Sequence, residues 1–164
     1  MYVNYYNHIN ALYRYEEFFN AEYMPIKFIA ELPKWAKKVI YVVMNKGRDI
    51  VAFARVQQVM PNLYDIQDVF IFSKFRGCGL CSDFISTIVK TAPVSANKTF
   101  IVSLLPDNEP AFKCYKRAKF VEIGADSKLA VLFNKFWKRI DFIHMAYFNP
   151  GKSLPHFLTI AEIK

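Results

Sequence analysis

The hydrophobic rhythm of the chain changes several times, and the changes mark out its elements. Residues 2 to 7 (YVNYYN) are rich in strand formers, and from Asn10 to Asn20 the apolar positions Leu12, Tyr15, Phe18 and Phe19 recur at helical spacing. A strand and then a helix are predicted. A second helix is predicted from about Pro25 to Lys37, with Ile29, Leu32 and Trp35 facing inward and Pro33 interrupting it. VIYVVM (39–44) and IVAFARVQQV (50–59) are β-branched runs joined by Asn45-Lys46-Gly47-Arg48-Asp49, where glycine supplies the positive φ of a hairpin turn. These two strands are expected to be antiparallel. YDIQDVFIF (64–72) reads as another strand; strict alternation puts Asp65, Gln67, Val69 and Ile71 on one face and Ile66, Asp68, Phe70 and Phe72 on the other.

From Gly79 the period becomes helical. Leu80, Phe84, Ile85, Ile88 and Val89 make one stripe, which Pro93 ends. TFIVSLL (99–105) is a further strand, followed by Asn108 as a helix N-cap, Pro110 in the first turn, and Ala111, Cys114, Tyr115 and Ala118 along one helix face. FVEIG (120–124) and IDFIHMAYF (140–148) read as strands; the basic, aromatic insert between them, 125–139, has no pattern that assigns a conformation. The order β-α-α-β-β-β-α-β-α-β-β predicts a single domain over 1–164, of α/β (α+β) class, with a mixed sheet and helices on both faces.

Composition narrows this picture. A chain of 164 residues that is 54% hydrophobic and 22% charged is long enough for its own core and leaves no room for a long disordered tail. The net charge of +8 favours an anionic partner, so nucleic acid, a nucleotide cofactor and a membrane surface all qualify. The basic residues between Lys113 and Arg139 are interleaved with apolar ones, as on a solvated face. Neither a secretory signal nor a membrane-span pattern is visible, which points to a cytoplasmic or otherwise intracellular protein. Three cysteines form no disulfide framework and fit a reducing compartment.

The chemistry is expected at FRGCGLCSDF (75–84), between a strand and a helix. Cys78 and Cys81 form a C-x-x-C, a redox or metal signature, while Arg76, Gly77 and Gly79 form a glycine turn that could hold a phosphate on the first amides of the helix. A thioredoxin-like dithiol follows an early strand, whereas here four strands and two helices precede the turn. A zinc site needs further ligands, and Cys114, His8, His144 and His156 are scattered singly. No metal is expected, and the three histidines read as structural or exposed.

A second motif favours the phosphate. Arg76-Gly77-Cys78-Gly79-Leu80-Cys81 followed by Asn108-Glu109-Pro110-Ala111-Phe112-Lys113-Cys114-Tyr115 resembles the GCN5-related N-acetyltransferase (GNAT) family, with its Q/R-x-x-G-x-G/A and later N-x-x-A-x-x-x-Y patterns. The resemblance is good over 39–124. It departs at Cys81, where the family has glycine or alanine, and at Lys119, where many members have a glycine that tolerates positive φ.

The resemblance implies a mostly antiparallel sheet of six or seven strands, in which 64–72 and 99–105 are parallel neighbours that splay apart. It also implies acetyl-CoA as cosubstrate, with pyrophosphate on the turn from Arg76 to Ser82 (Arg76, Gly77, Cys78, Gly79, Leu80, Cys81, Ser82). Backbone groups near Phe70 and Ile71 would pair with the pantetheine by strand addition, with Asn108 and Ala111 beside it. Tyr115 matches the tyrosine that protonates the leaving thiolate. For the base that deprotonates the acceptor amine, Asp68 stands first, Asp65 second and Glu122 outside both. The acceptor class, a small molecule or a protein amine, stays open. Two other readings are a non-catalytic module that keeps the fold, and a basic nucleic-acid-binding protein, the latter supported by charge and aromatics but by no motif.

Overall fold

The computed structural model describes residues 1–32, 36, 38–137 and 141–149. Seven strands, β1 (Tyr2–Tyr6), β2 (Val39–Lys46), β3 (Asp49–Met60), β4 (Leu63–Ile71), β5 (Thr99–Leu104), β6 (Val121–Glu122) and β7 (Ile143–Phe148), form one sheet in the order β1-β2-β3-β4-β5-β7-β6. Every neighbouring pair is antiparallel except β4 and β5. The hairpin between β2 and β3 turns at Gly47, whose φ of +60° is the conformation that L side chains avoid.

Helices cover both faces. The helix α3 (Leu80–Thr91) places Phe84, Ile85, Ile88 and Val89 against Ala52, Ala54, Val56 and Val102 of the sheet, and α4 (Glu109–Arg117) adds Cys114 and Tyr115 to the same core. The opposite face carries two separate apolar clusters. At the β2–β3 end, Phe19 of α1 (Glu16–Ala21) and Ile26 and Ile29 of α2 (Ile26–Ile29) pack on Val43 and Phe53. At the β5–β7 end, Leu129, Ala130 and Phe133 of α5 (Lys128–Trp137) pack on Ile101 and Ala146.

Several elements differ from the pattern-based expectation. The segment 10–20 splits into a 3-10 stretch, Ile9–Tyr15, and the short α1. The second helix ends at Ile29, and the carbonyls of Ile29 and Glu31 accept from the Arg55 guanidinium at 3.2 and 3.0 Å; Trp35 lies outside the described residues. The unassigned insert contains α5, whose first turn is capped by Ser127 Oγ accepting from the Ala130 amide at 3.0 Å. The strand expected at 120–124 shrinks to Val121–Glu122 on the sheet edge.

Lys119 makes the turn out of α4 in spite of its side chain. It takes φ +71°, with its amide on the Lys116 carbonyl and the Phe120 amide on the Tyr115 carbonyl, the paired bonds of a Schellman motif. The Phe120 ring then packs on Tyr115, with centroids 5.9 Å apart. The backbone hydrogen bonds and this ring contact hold a lysine where glycine is the easier residue.

Candidate functional site

The ladder between β4 and β5 has only three rungs, Leu63 with Thr99, Tyr64 with Phe100 and Asp65 with Ile101. Beyond Asp65 the two strands part, and the β4 edge from Ile66 onward faces a gap. On its other side β4 has a bulge: Arg55 of β3 opposes Gln67 and Phe53 opposes Phe70, so Asp68 and Val69 stand against Ala54 alone. Asp68 takes φ +51°, which aspartate tolerates better than most residues.

The bulge corrects the alternation expected for 64–72. Ile66, Val69 and Ile71 pack with the α3 core, whereas Phe70 and Phe72 join the α1–α2 cluster. Asp65 and Ile71 therefore do not share a face. Asp65 and Asp68, expected on opposite faces, meet in one network: Gln67 Nε2 donates to Asp65 Oδ2 at 2.6 Å, Arg55 Nη2 donates to Gln67 Oε1 at 3.2 Å, and the same nitrogen lies 3.0 Å from Asp68 Oδ2.

After β4 the chain makes the glycine turn. Gly77 and Gly79 have φ of +76° and +71°, and a Cβ on either would meet nothing within 4 Å, so open space lies beside this backbone. Gly79 is the N-cap of α3 and offers no side chain to the first helical amides, which stay available to an anion. Arg76 braces the turn: Nε donates to the Ile71 carbonyl at 2.8 Å, Nη2 lies 3.5 Å from Glu22 Oε2, and the guanidinium sits 4.9 Å from the Phe70 ring centroid. Of the two expected strand-addition residues, Ile71 thus has its carbonyl engaged already.

The cysteines depart from expectation. Cys81 and Cys114, 33 residues apart in sequence, form a disulfide with their Cα atoms 5.7 Å apart, and Cys78 is the free, exposed thiol. The C-x-x-C is not a pair. The N-terminal turn of α3 and the middle of α4 pack against each other, and each presents one sulfur to that contact. The sequence hides the partnership because the two cysteines sit on different helices.

Two cavities meet at the gap. One, of about 630 Å³, lies on the turn side and is bounded by Phe70, Ile71, Arg76, Gly77, Gly79 and Cys81. The other, of about 300 Å³, is bounded by Asp65, Gln67, Asp68, Ser103 and Phe142. Val69, Asn108, Ala111 and Tyr115 line both. Asn108 caps α4 by accepting from the Ala111 amide at 3.2 Å, which orients the helix that carries Tyr115. Tyr115 is 7% exposed, and burial, with a smaller push from the Asp65 charge, raises its phenol to about 12.

The structure therefore gathers Asp65, Asp68, Asn108, Ala111 and Tyr115 around one cavity, and Phe70, Ile71, Arg76, Gly77, Gly79, Leu80 and Cys81 around the other. Ser82 and Cys81 also border a shallow hollow of about 200 Å³ flanked by Lys113 and Arg117. Cys78 lines none of these. Glu122 lies on the edge strand β6.

Sequence reasoning missed a polar strip on the sheet face opposite α3. Along β3 the inward-pointing series Phe53, Arg55, Gln57, Val59 starts in one apolar cluster, ends in the other and is polar between them. Gln57 is fully buried, and neither end of its amide has a hydrogen-bond partner among the described residues. Across the gap the strip continues with Ser103 and the buried His144. Arg55 and Gln57 were a legible signal, since two polar residues at alternate positions of a buried strand need a reason.

The sheet is parted between two parallel strands, with uncapped helix amides on one side of the gap and a buried polar floor on the other, the fold and site of a class of proteins rather than a chance assembly of elements. The sequence matches the family model described as the acetyltransferase (GNAT) family over residues 6–120, and the chain belongs to that family. No curated protein matches it. Among solved structures it is similar to aminoglycoside acetyltransferase AAC(6')-Ib in complex with coenzyme A and kanamycin, at 15% identity and TM-score 0.61, over 90% of this chain and 95% of that one. It is also similar to Arabidopsis thaliana NAA60 in complex with a bisubstrate analogue, at 12% identity and TM-score 0.55, over 92% and 100%. The GNAT domain of S. lividans PAT aligns at 10% identity and TM-score 0.58, over 90% and 89%. At these identities the likeness is one of fold.

Proposed function

We propose that this protein is an N-acetyltransferase that transfers acetyl from acetyl-CoA to a primary amine by direct attack, with both substrates bound at once. The observation that carries the reading is the position of Tyr115, a buried phenol where the turn-side cavity meets the polar one. A CoA-type ligand fits the residues present: open space beside Gly77 and Gly79, uncapped amides at the start of α3, and a free β4 edge. Arg76, Lys113 and Arg117 supply positive charge around that end. Bound there, acetyl-CoA supplies an activated acetyl group.

Leu80, Cys81 and Ser82 would hold phosphate through their amides, and the β4 edge near Phe70 would pair with the pantetheine. Tyr115, its proton held to about 12, donates to the departing thiolate, whose conjugate acid is near 8.5. Asp68 and Asp65 draw the acceptor in as its ammonium and orient it in the polar cavity. AAC(6')-Ib was crystallised with kanamycin, which supports a small cationic amine as one acceptor class, and NAA60 with a bisubstrate analogue. A panel should span aminoglycosides, linear polyamines and peptides with a free α-amine.

Calorimetric titration with acetyl-CoA tests the first half. Binding is expected for the wild type, weakened about tenfold or more in Arg76→Glu, which breaks the turn brace and reverses its charge. Absence of binding by the wild type overturns the reading. Thiol release with the amine panel tests the second half, and Tyr115→Phe is expected to lower kcat about 100-fold. An unchanged rate removes Tyr115 as the acid.

A further inference from the structure

Acetyl transfer needs somewhere for the amine's proton to go, and the two cavity carboxylates are already engaged. Asp68 Oδ2 lies 3.0 Å from the Arg55 guanidinium, and Asp65 Oδ2 accepts from Gln67 at 2.6 Å. Behind the same cavity three side chains from three different elements stand in series. Ser103 of β5 lies 2.7 Å from His144 Nδ1 on β7, and His144 Nε2 lies 2.9 Å from Asn134 Oδ1 on α5. Because the Asn134 oxygen can only accept, Nε2 carries the hydrogen. Nδ1 of the neutral ring is then the acceptor, and the Ser103 hydroxyl donates to it. The Phe133 ring, 5.8 Å from the imidazole, fills the apolar side of the site, and His144 is only 3% exposed.

The placement is what gives this series a use. The β4–β5 ladder ends at Asp65 and Ile101, so Ser103 is two residues past the last rung, on the face of β5 that carries Ile101. Ser103 lines the polar cavity together with Asp68 and Tyr115, while His144 sits behind it, away from solvent. A hydroxyl at the cavity wall, hydrogen-bonded to a buried imidazole of fixed tautomer, is a proton path out of the cavity.

We propose that Ser103 is a catalytic residue of the amine half-site and that His144, oriented by Asn134, is the positioning residue that takes the proton through it. This inference rests on the acetyltransferase reading. The acceptor ammonium gives one proton to Ser103 Oγ as Ser103 passes its own to His144 Nδ1. The neutral amine then forms the C–N bond, the C–S bond breaks, and the thiolate takes the Tyr115 proton. The product amide nitrogen gives its surplus proton to the Tyr115 phenolate, which restores the phenol, and His144 returns its proton to water before the next cycle. No electrons are exchanged and Ser103 ends unmodified.

The test uses the full chain, acetyl-CoA, and the amine of the panel that the wild type turns over fastest. Ser103→Ala and His144→Gln are expected to bind acetyl-CoA within about twofold of wild type by calorimetry, to change KM for the amine only a few-fold, and to lose about 100-fold in kcat. Ser103→Thr, which keeps the hydroxyl, is expected to stay within about threefold. Glutamine can keep a donor and an acceptor but takes no proton, so a merely structural role for His144 predicts near-normal kcat in His144→Gln. Normal kcat in both Ser103→Ala and His144→Gln overturns the relay and leaves the acetyltransferase reading standing. If His144→Gln fails to fold, the contrast between Ser103→Ala and Ser103→Thr decides, and equal loss in both overturns the relay. An acetyl group on Ser103, found by mass spectrometry after incubation with acetyl-CoA alone, also overturns it, because the serine would then be a nucleophile. Wild-type protein that binds no acetyl-CoA, or turns over no amine, overturns the underlying reading and this inference with it.

Discussion

Arg55 enters the sheet interior from β3 and gives its guanidinium four acceptors: the carbonyls of Ile29 and Glu31, the Gln67 amide oxygen and the Asp68 carboxylate. One cation thereby joins the end of α2 to the bulge of β4. The Asp68 carboxylate, at 40% exposure, is the part of the network that reaches solvent, as the proposed recruitment of an ammonium requires. Tyr115 illustrates the reverse condition, a group shielded from water so that it keeps its proton. Below pH 10 its phenol is protonated in folded and unfolded chains alike. Between pH 10 and about 12 only the unfolded chain releases that proton, so folding stability falls across this window, by about 2–3 kcal/mol for this one group. Denaturant midpoints measured from pH 9 to pH 12 are expected to decline, and Tyr115→Phe to flatten the decline in part. Tyr5, Tyr6 and Tyr41, also raised chiefly by burial, act in the same direction.

At the scale of elements, the Schellman turn after α4 holds a lysine in the left-handed region at φ +71°. A glycine there is free of the Cβ clash, and Lys119→Gly is expected to raise stability by about 1 kcal/mol in chemical denaturation with acetyl-CoA binding unchanged. The same turn marks how far the sequence could be read. The β2–β3 hairpin, the α3 stripe, the Asn108 cap and the turn at Gly77 and Gly79 are local devices, and residue type and spacing declare them. The bulge at Asp68 is invisible because D-I-Q-D-V-F-I alternates plausibly without it; only pairing with β3 reveals the extra residue. α5 was missed although Leu129, Ala130 and Phe133 have helical spacing, because the exposed Val131 blurs the stripe. His144 looked solitary because its partners come from β5 and α5, which only the folded sheet brings together.

The whole molecule is one sheet with a continuous core on the α3–α4 face and a divided core on the other, and the division is where the polar strip runs. Among the described residues no helix is long and apolar enough to cross a membrane. The bond between Cys81 and Cys114 acts at this scale, since it links the two helices that border the turn-side cavity. With its ends 33 positions apart in sequence, its loss is expected to cost about 3–4 kcal/mol, read as a lower denaturant midpoint for Cys114→Ser or for the wild type under reductant. A closed covalent ring also results, running from Cys81 through α3, the exposed tip at 95–97 and β5 to Cys114. A protease that cuts that tip leaves the polypeptide in one piece. Nicked protein should migrate as a single full-length band on a denaturing gel without thiol, and separate into an N-terminal and a C-terminal fragment once thiol is added.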